Sequence, residues 1–454
     1  MASVSKLVLL LLCSYYSLVA ARVGGGLRYK VLNISLLKTD ASCSQLKVAP
    51  SSGGATVPLH HRHGPCSPVN STKTPTLEDM LRRDQLRAAY IQRKFSGARG
   101  GAAGGVQQSD ATVPTTLGSS LDTLEYVITV GIGSPAVTQT MLIDSGSDVS
   151  WVQCKPCSQC HSQADALFDP SGSSTYSPFS CGSSPCSQLG QEGNGCSSSQ
   201  CQYIVNYGDG SRTTGTYSSD VLALGSNAVR SFQFGCSHSE SGFSDQTDGL
   251  MGLGGGAQSL VSQTAGTFGK AFSYCLPPTP GSAGFLTLGA GSSSGFVRTP
   301  MLRSSQTPTF YGVRLQAIRV GGRQLSVPAS VFSAGTIMDS GTIITRLPPT
   351  AYSALSSAFK AAMQYPSAPS SGLLDTCFDF GGQSSVSIPD VSLVFSGGAV
   401  VDLDPNGIIL DSCLAFAPNG DDSSFGIIGN VQQRTFEVLY DVGRGAVGFR
   451  AGAC

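Results

Sequence analysis

The sequence predicts a mostly β protein made of two related halves. The chain has 454 residues, and its 56 glycines separate short apolar runs, a pattern that favours strands and turns over long helices. Two of these runs end in the same tripeptide: Met141–Ile143 leads into Asp144-Ser145-Gly146, and Thr336–Met338 leads into Asp339-Ser340-Gly341. A motif that occurs once in each half indicates an internal duplication. The predicted fold class is therefore all-β, with two similar lobes.

The order of elements around the two motifs is also repeated. Strand patterns cover Tyr126–Val130 and Thr140–Ile143 in the first half and Tyr311–Val320 in the second, with a hairpin signal at Gly321-Gly322. An apolar, Gly-containing element follows far downstream of each motif, at 249–254 and 425–429. The pattern breaks near 300–310, where Thr-Pro and Ser-Ser pairs cluster. We therefore expect an N-terminal β lobe over 118–305 and a C-terminal β lobe over 306–454.

The charges are unevenly distributed, although the net charge is zero. From Gly118 onward the chain carries 14 Lys and Arg against 23 Asp and Glu, whereas the part before it carries 14 against 5. An acidic body makes nucleic acid an unlikely partner. The basic leader could dock on the body by charge and be released when acid neutralises the carboxylates. Alternatively, the two parts are unrelated solvated surfaces.

The first 21 residues have the pattern of an export signal. Lys6 precedes the apolar run Leu7–Leu12, and Val19–Ala21 provides small residues for cleavage. A short membrane anchor is the alternative, but the run is too short to span a bilayer. Later segments are shorter than a transmembrane helix, so no membrane anchor is expected. These features predict a protein that is secreted to the extracellular space or sent to a vacuole.

Residues 22–117 are interpreted as a removable prosegment. Thr76 can cap a helix together with Asp79. The helix has an apolar stripe, which comprises Leu77, Met80, Leu81, Ala88, Ile91 and Phe95. Basic residues are expected on its other faces, namely Arg82, Arg83, Arg87, Arg93 and Lys94. A Gly-rich linker at 96–105 is where a peptidase would cut. An ordinary helical subdomain with a mobile hinge is the alternative.

The cysteines indicate disulfides. Of 15 Cys, the signal contains one and the prosegment two, which leaves 12 in the body. Seven lie in an insertion at 154–201 that has little core-forming pattern and needs covalent bridges. A metal site at Cys154, Cys157 and Cys160 is disfavoured, because an iron–sulfur cluster would need a fourth Cys close behind. We expect no metal, and Cys377 with Cys413 as the best single disulfide.

The two repeated aspartates carry the functional prediction. A carboxylate at the end of an apolar strand is poorly solvated, which is unfavourable without a compensating role. Asp144 and Asp339 could meet at a shared site and hold one proton between them. One carboxylate would then take a proton from water while the other donates to a carbonyl oxygen. A Ser-based hydrolase is disfavoured, since the sequence lacks Gly-x-Ser-x-Gly.

These residues resemble the pepsin-like aspartic peptidases, and more closely their plant nepenthesin-like branch. The matching segments are Asp144–Ser147, Asp339–Thr342, Tyr207–Ser211, the Cys-rich insertion and Leu81–Gln85 of the leader. The resemblance covers roughly 120–454. The first motif departs slightly from the family pattern, because it carries Ser145 where Thr is usual. It implies a bilobal pepsin-like fold, with lobes related by a pseudo-two-fold axis and an active-site cleft between them.

The resemblance also implies roles for individual residues. Asp144 and Asp339 are the expected catalytic pair, with Asp148 a surface or turn residue. Ser145, Gly146, Ser340 and Gly341 would support the pair, with the two serines hydrogen-bonded across the loops. Tyr207, Gly208 and Asp209 would form a flap over the substrate, with Tyr207 bonded to Trp151. The remaining residues expected in flap or substrate binding are Ser147 and Thr342.

The implied protein is an acid-active endopeptidase made as a zymogen. Its expected partners are polypeptide substrates and its own prosegment, it needs no cofactor, and it is expected to be a monomer. Some members of the family go to plastids, which makes that compartment a less favoured alternative. The competing function is a binding or inhibitor protein on the same scaffold that has lost catalysis. Relatives of that kind usually lose one Asp or the flap Tyr, and this chain keeps both.

Overall fold

The computed structural model of the protein describes residues 26–34, 43, 54–69, 76–99, 126–208, 210–243, 246–279, 281–289 and 294–453. The expected signal peptide at 1–21 and residues 100–105 of the expected linker lie outside them. Most described residues after 126 belong to strands or the turns between them, as the predicted all-β class requires. None of the described helices is long and apolar enough to cross a membrane.

The leader contains two strands and one long helix. Strands β1 (Tyr29–Asn33) and β2 (Ala55–His61) precede helix α1 (Leu77–Arg99). The sequence predicts the helix but neither strand, although buried and less buried residues alternate along β2. Pro58 inside that run argues against a central strand. The helix also extends through Arg99, which shortens the linker expected from residue 96.

The first half of the body forms one large sheet with a few short helices. Its strands are β3 (Tyr126–Ile132), β4 (Val137–Asp144), β5 (Trp151–Gln153), β6 (Ser177–Pro178), β7 (Gly193–Ser197), β8 (Gln200–Asn206), β9 (Arg212–Leu224), β10 (Asn227–Ser241), β11 (Gly249–Gly252), β12 (Ala271–Cys275), β13 (Ala283–Leu288) and β14 (Val297–Pro300). Its α-helices are α2 (Ser184–Gln188), α3 (Leu260–Gln263) and α4 (Ala265–Phe268).

The second half forms smaller sheets around a longer helix. Its strands are β15 (Tyr311–Val313), β16 (Leu315–Val320), β17 (Arg323–Gln324), β18 (Thr336–Met338), β19 (Thr345–Leu347), β20 (Ser367–Ala368), β21 (Cys377–Phe378), β22 (Ser385–Pro389), β23 (Val391–Phe395), β24 (Val400–Asp402), β25 (Ile409–Leu410), β26 (Cys413–Leu414), β27 (Phe416–Pro418), β28 (Gly426–Ile428), β29 (Phe436–Asp441) and β30 (Ala446–Ala451). Its α-helices are α5 (Pro349–Ala362) and α6 (Asn430–Gln433).

The duplication is visible in the strand pairing. Strand β4, which ends at Asp144, pairs in parallel with β11, the first apolar, Gly-containing element. Strand β18, which ends just before Asp339, pairs in parallel with β28, the second such element. In both halves the strand that leads into the Asp-Ser-Gly motif is therefore held by the same kind of partner, and the two loops occupy equivalent places.

The large sheet also joins the two halves and the leader. Strands β29 and β30 from the chain's end pair with β12 and β14 respectively, across the lobe boundary expected near 305. Strand β2 of the leader lies between β13 and β3 inside this sheet. Strand β1 pairs instead with β22 of the second half. The leader is thus built into both halves by backbone hydrogen bonds.

Candidate active site

The two strand ends bring Asp144 and Asp339 to one place. Asp144 is the last residue of β4 and Asp339 follows β18, so each stands where a buried strand turns into a loop. Both side chains are almost completely buried, with exposed fractions of 1% and 0%. The carboxylates lie side by side, because Oδ1 of each contacts the same nitrogen, Nη2 of Arg87.

The loops that follow the two aspartates hold each other. The Ser145 backbone N–H donates to the Ser340 Oγ at 3.1 Å, and the Ser340 N–H donates to the Ser145 Oγ at 2.9 Å. The N–H groups of Gly146 and Gly341 donate to Oδ1 of Asp144 and Asp339, at 2.9 and 3.3 Å. This reciprocal network limits how far the carboxylates can move apart.

The next hydroxyl in each motif behaves differently in the two halves. Thr342 donates to Oδ2 of Asp339 at 2.6 Å, so it contacts the carboxylate directly. Among the residues that the structure describes, the equivalent Ser147 Oγ is buried and has no hydrogen-bond partner. The two aspartates therefore have unequal surroundings despite the repeated sequence.

Helix α1 of the leader places Arg87 directly on this pair. Its Nη2 donates to Oδ1 of Asp144 at 2.6 Å and to Oδ1 of Asp339 at 2.7 Å. Its Nε donates to Oδ2 of Asp339 at 2.8 Å, and Nη1 lies 3.4 Å from Oδ2 of Asp144. A Cβ on Gly341 would stand 2.3 Å from the guanidinium, so only glycine allows this approach. One cation thereby contacts all four carboxylate oxygens.

This arrangement shifts the acid–base equilibria of both partners. Burial alone would raise the pKa of Asp339, but the charge and hydrogen bonds of Arg87 outweigh it and hold that pKa below its usual value. Burial works against the charged form of Arg87, yet the two carboxylates raise its pKa well above the ordinary range. The docked helix therefore favours the ionised form of Asp339.

Arg87 corrects the sequence prediction for the leader. Arg83 and Arg87 were expected away from the apolar stripe, yet their exposed fractions are 2% and 8%. Asp84 is fully buried on the same side. The buried face of the helix follows the usual spacing of three or four residues, through Leu81, Asp84, Arg87 and Ile91. Charged residues at core positions of that stripe were the signal that could have identified Arg87.

Tyr207 and Gly208, at the start of the expected flap, lie over the same helix. Trp151 Nε1 donates to the Tyr207 hydroxyl at 2.7 Å, and both rings pack against Phe243. A Cβ on Gly208 would lie 2.5 Å from the Cβ of Tyr90, so the hairpin backbone rests directly on the helix. Asp209 lies outside the described residues. Helix α1 is therefore enclosed between this hairpin and the two aspartates.

The end of helix α1 fills an aromatic recess of the second half. The ring of Phe95 lies 5.3 Å from the ring of Phe310 and 4.2 Å from that of Phe425, measured between centroids. Gln92 Nε2 donates to the Phe425 carbonyl at 2.6 Å. A cavity of about 240 Å³ adjoins these rings and is lined by Ile337 beside the second motif. The last turns of the helix thus cover this part of the second half.

Asp148 does not match the surface or turn position expected for it. Its exposed fraction is 7%, and its carboxylate accepts hydrogen bonds from Gly256 N–H at 2.8 Å and Thr309 Oγ1 at 2.6 Å. Burial raises its pKa. It therefore ties the first motif's loop to neighbouring segments.

Disulfides hold the Cys-rich insertion and the second half. In the insertion Cys154 bonds to Cys236 of β10, Cys157 bonds to Cys160, and two further bridges join Cys181 to Cys196 and Cys186 to Cys201. The pair singled out from the sequence, Cys377 and Cys413, is bonded at 2.00 Å across neighbouring strands. Cys275 is also disulfide-bonded, and Cys43 bonds to Cys66 in the leader. The cysteines of the proposed metal alternative are thus covalently paired.

Comparison with known proteins identifies relatives over most of the chain. The family models described as xylanase inhibitor N-terminal and C-terminal match residues 126–290 and 310–451. An aspartyl protease family protein of Arabidopsis thaliana is 42% identical over 437 residues, which cover 92% of each chain. Aspartic proteinase nepenthesin-2 of Nepenthes gracilis is 35% identical and covers 90% of this chain and 95% of its own.

Solved structures resemble the fold at lower identity. Basic 7S globulin from soybean aligns with a TM-score of 0.58 and 24% identity, covering 72% of this chain and 91% of its own. Conglutin gamma from lupine seeds aligns with a TM-score of 0.58 and 21% identity, covering 72% and 91%. At these identities the likeness concerns the fold.

Proposed function

This chain belongs to the plant pepsin-like aspartic peptidases, and from that premise we propose that it is an acid-active endopeptidase made as a latent precursor. The observation that carries the proposal is the clamp of Arg87 on Asp144 and Asp339. Two buried carboxylates held this close cannot both stay ionised without a cation, so they would share a proton once the cation leaves. Such a pair is equipped for general acid–base chemistry.

The proposed reaction is direct hydrolysis by water. After the leader leaves, one carboxylate of the pair would take a proton from a bound water, and the protonated partner would donate to the carbonyl oxygen of the peptide bond. The reciprocal bonds of Ser145 and Ser340 would keep the two carboxylates in a common plane. Substrate would lie extended between the lobes and under the hairpin of Tyr207.

Latency is proposed to come from helix α1. The helix occupies the space beneath the hairpin, and Arg87 fills the position between the carboxylates where water would otherwise bind. We therefore assign residues 22–117 as a prosegment, 118–305 as the N-terminal lobe and 306–454 as the C-terminal lobe. With a signal at 1–21, the mature enzyme would act outside the cell or in a vacuole, on polypeptide substrates.

Acid should loosen the leader. In the docked state Arg87 holds the pKa of Asp339 below its ordinary value, so docking is fully stabilised above that ordinary value and weakens as the pH falls through the docked-state pKa. Burial raises the pKa of Asp84, so that carboxylate does not drive release in acid. Hydrogen exchange of the α1 amides, corrected for intrinsic rates, should show weaker protection at about pH 3, which is below the ordinary pKa of an aspartate, than at about pH 6. Equal protection at both values would contradict this mechanism.

The hairpin contact gives a smaller expected effect. Trp151→Phe keeps an aromatic ring but removes the Nε1–H that donates to Tyr207. Losing one neutral hydrogen bond that positions the hairpin should lower kcat/KM about 5-fold. Tyr217→Phe is the matched control, since it removes a hydroxyl bond to Gln233 elsewhere in the same lobe. Equal kcat/KM values for the two variants would show that the Trp151 bond does not serve the hairpin.

The alternative is a binding or inhibitor protein without catalysis. It is favoured by the descriptions of the matching family models, which are xylanase inhibitor halves, and by the 7S globulin among the similar structures. Against it, both aspartates are present, lie on one cation and are backed by the loops' hydrogen bonds. A protein with no catalytic use for the pair would gain little from keeping two buried carboxylates together.

Digestion of a denatured protein substrate distinguishes the peptidase from the binding protein. The full chain is incubated in acid until the leader is removed, and then mixed with the denatured substrate with and without pepstatin, an inhibitor of this enzyme class. The proposal expects cleavage in acid that pepstatin abolishes. Leader removal by an added peptidase followed by no pepstatin-sensitive cleavage would favour the binding protein.

A further inference from the structure

A second buried ion pair joins the leader to the body beside the aspartate pair. Asp84 lies three residues before Arg87 on helix α1, and its Oδ2 accepts from Nη2 of Arg346 at 2.6 Å. The exposed fractions of the Arg346 and Asp84 side chains are 1% and 0%. The other carboxylate oxygen, Oδ1, accepts from the Ile343 backbone N–H at 2.5 Å. The body thus recognises this carboxylate through a guanidinium and an amide.

The body alone holds the groups that bind the carboxylate. Arg346 lies in β19, which pairs with β27 and β28 of the second half. Ile343 is four residues after Asp339, in the loop that also carries Thr342. The leader supplies only the Asp84 carboxylate and the Gln85 amide oxygen, which accepts from Nη1 of Arg346 at 2.8 Å. Both donors therefore stay in place when the leader is removed.

Removal of the leader would leave Arg346 without this counter-charge. The guanidinium would lose both acceptors that the leader supplies, the Asp84 carboxylate and the Gln85 amide oxygen. Within the described residues its Nε has no hydrogen-bond partner, so a carboxylate that replaced Asp84 would be strongly favoured there. Leu81 of the helix packs against Ile343 and Ile344, so apolar walls surround the position. An arginine kept in such a place, with a backbone N–H beside it, suits a planar carboxylate.

We propose that Arg346 and the Ile343 N–H form a carboxylate-binding subsite, which selects peptide substrates carrying Asp or Glu close to the cleaved bond. The inference rests on the proposed peptidase function and adds a substrate class to it. In the latent chain, Asp84 occupies the subsite as a substrate side chain would. Three helical residues rise about 4.5 Å, and one extended residue rises about 3.3 Å. The acidic side chain therefore belongs within about three residues of the cleaved bond.

A purely structural role for the pair makes a different prediction. If Arg346 only anchors the leader, the mature enzyme has no preference for acidic peptides, whatever the effect of Asp84 on latency. Selectivity of the matured enzyme is therefore the informative measurement. It is read as a ratio between matched peptides, which cancels differences in the amount of active enzyme.

The test uses the full chain matured in acid and assayed at pH 5, where a peptide glutamate is ionised. Peptide pairs carry Glu or Gln in turn at each of the three positions on either side of the cleaved bond. At one position kcat/KM should be about 10- to 100-fold higher for Glu. In Arg346→Gln that ratio should fall to near 1 while the Gln peptide is still cleaved, and Arg346→Lys should retain part of it.

Arg314→Gln is the matched control, because Arg314 is exposed in the same half and lies outside this pair. It should keep the full Glu preference. A wild-type enzyme that cleaves Glu and Gln peptides equally at every position overturns the subsite, even if Arg346→Gln fails to fold. An Arg346→Gln enzyme that keeps the preference also overturns it. Absence of any pepstatin-sensitive cleavage would instead overturn the proposed peptidase function on which the subsite rests.

Discussion

Replacing Arg87 with glutamine should abolish the latency of the full-length chain. The change leaves Asp144 and Asp339 buried side by side with no cation, and removing one partner of a buried ion pair destabilises the contact by about 3–5 kcal/mol. That corresponds to a fraction of chains with an open cleft that is larger by about 10²- to 4 × 10³-fold. The initial rate of peptide cleavage, measured at pH 5 before any leader is cut, should rise by at least about 100-fold.

Arg82→Gln is the control for this experiment. Arg82 is exposed on the outer face of the same helix, where it lies 3.9 Å from Asp79. Its replacement should leave the initial rate of peptide cleavage as low as that of the wild-type chain, since surface ion pairs contribute little to stability. If Arg87→Gln showed the same low initial rate as Arg82→Gln, the contact of the helix with the aspartates would not be what keeps the chain inactive.

Asp144→Asn and Asp339→Asn should each abolish cleavage. Either change removes one of the two groups that exchange protons with water and the peptide carbonyl, and general acid–base catalysis alone accounts for about 10²- to 10⁴-fold. We expect kcat to fall by at least about 10³-fold in each variant, measured after an added peptidase has removed the leader. Full activity in either variant would refute the assignment of the pair.

The aspartate variants can be separated from misfolded protein. Asp379→Asn serves as the control, because Asp379 is exposed and its carboxylate accepts a local hydrogen bond from the Gly381 N–H. It should retain wild-type activity. In each of the two site variants Arg87 would also lose one of its two ionised partners. The α1 amides of both variants should therefore exchange faster than those of wild type at pH 6. Faster exchange together with lost activity would be the combined signature of the site.

Local patterns predicted the elements that repeat within the chain. The runs before Asp144 and Asp339, and the apolar, Gly-containing elements downstream, are strands that pair in the same way in both halves. The cap of helix α1 was equally readable, since Thr76 and Asp79 hydrogen-bond each other. Each of these features depends on residues close in sequence, or on a motif present twice, and both leave a trace in the amino-acid order.

The contacts of individual leader residues with the body left no such trace. Nothing in the neighbourhood of Arg87 shows that it meets two aspartates 57 and 252 residues away. The same holds for Asp84 and Arg346, which are separated by 262 residues. Basic residues on a helix are usually solvated, so the general expectation placed Arg87 outside. Arg87 is buried instead, because the whole helix packs against both lobes.

Strand β2 has a consequence for how the precursor comes apart. It is hydrogen-bonded on both sides, along Ala55–His60 to β13 and along Leu59–His61 to β3. Helix α1, by contrast, is held by side chains. A cut in the chain beyond the helix would free the helix to leave, yet would not by itself extract a strand from the middle of a sheet, where withdrawal exposes two unpaired edges. Complete removal of the leader therefore requires a second step, in which β2 is withdrawn from between β3 and β13.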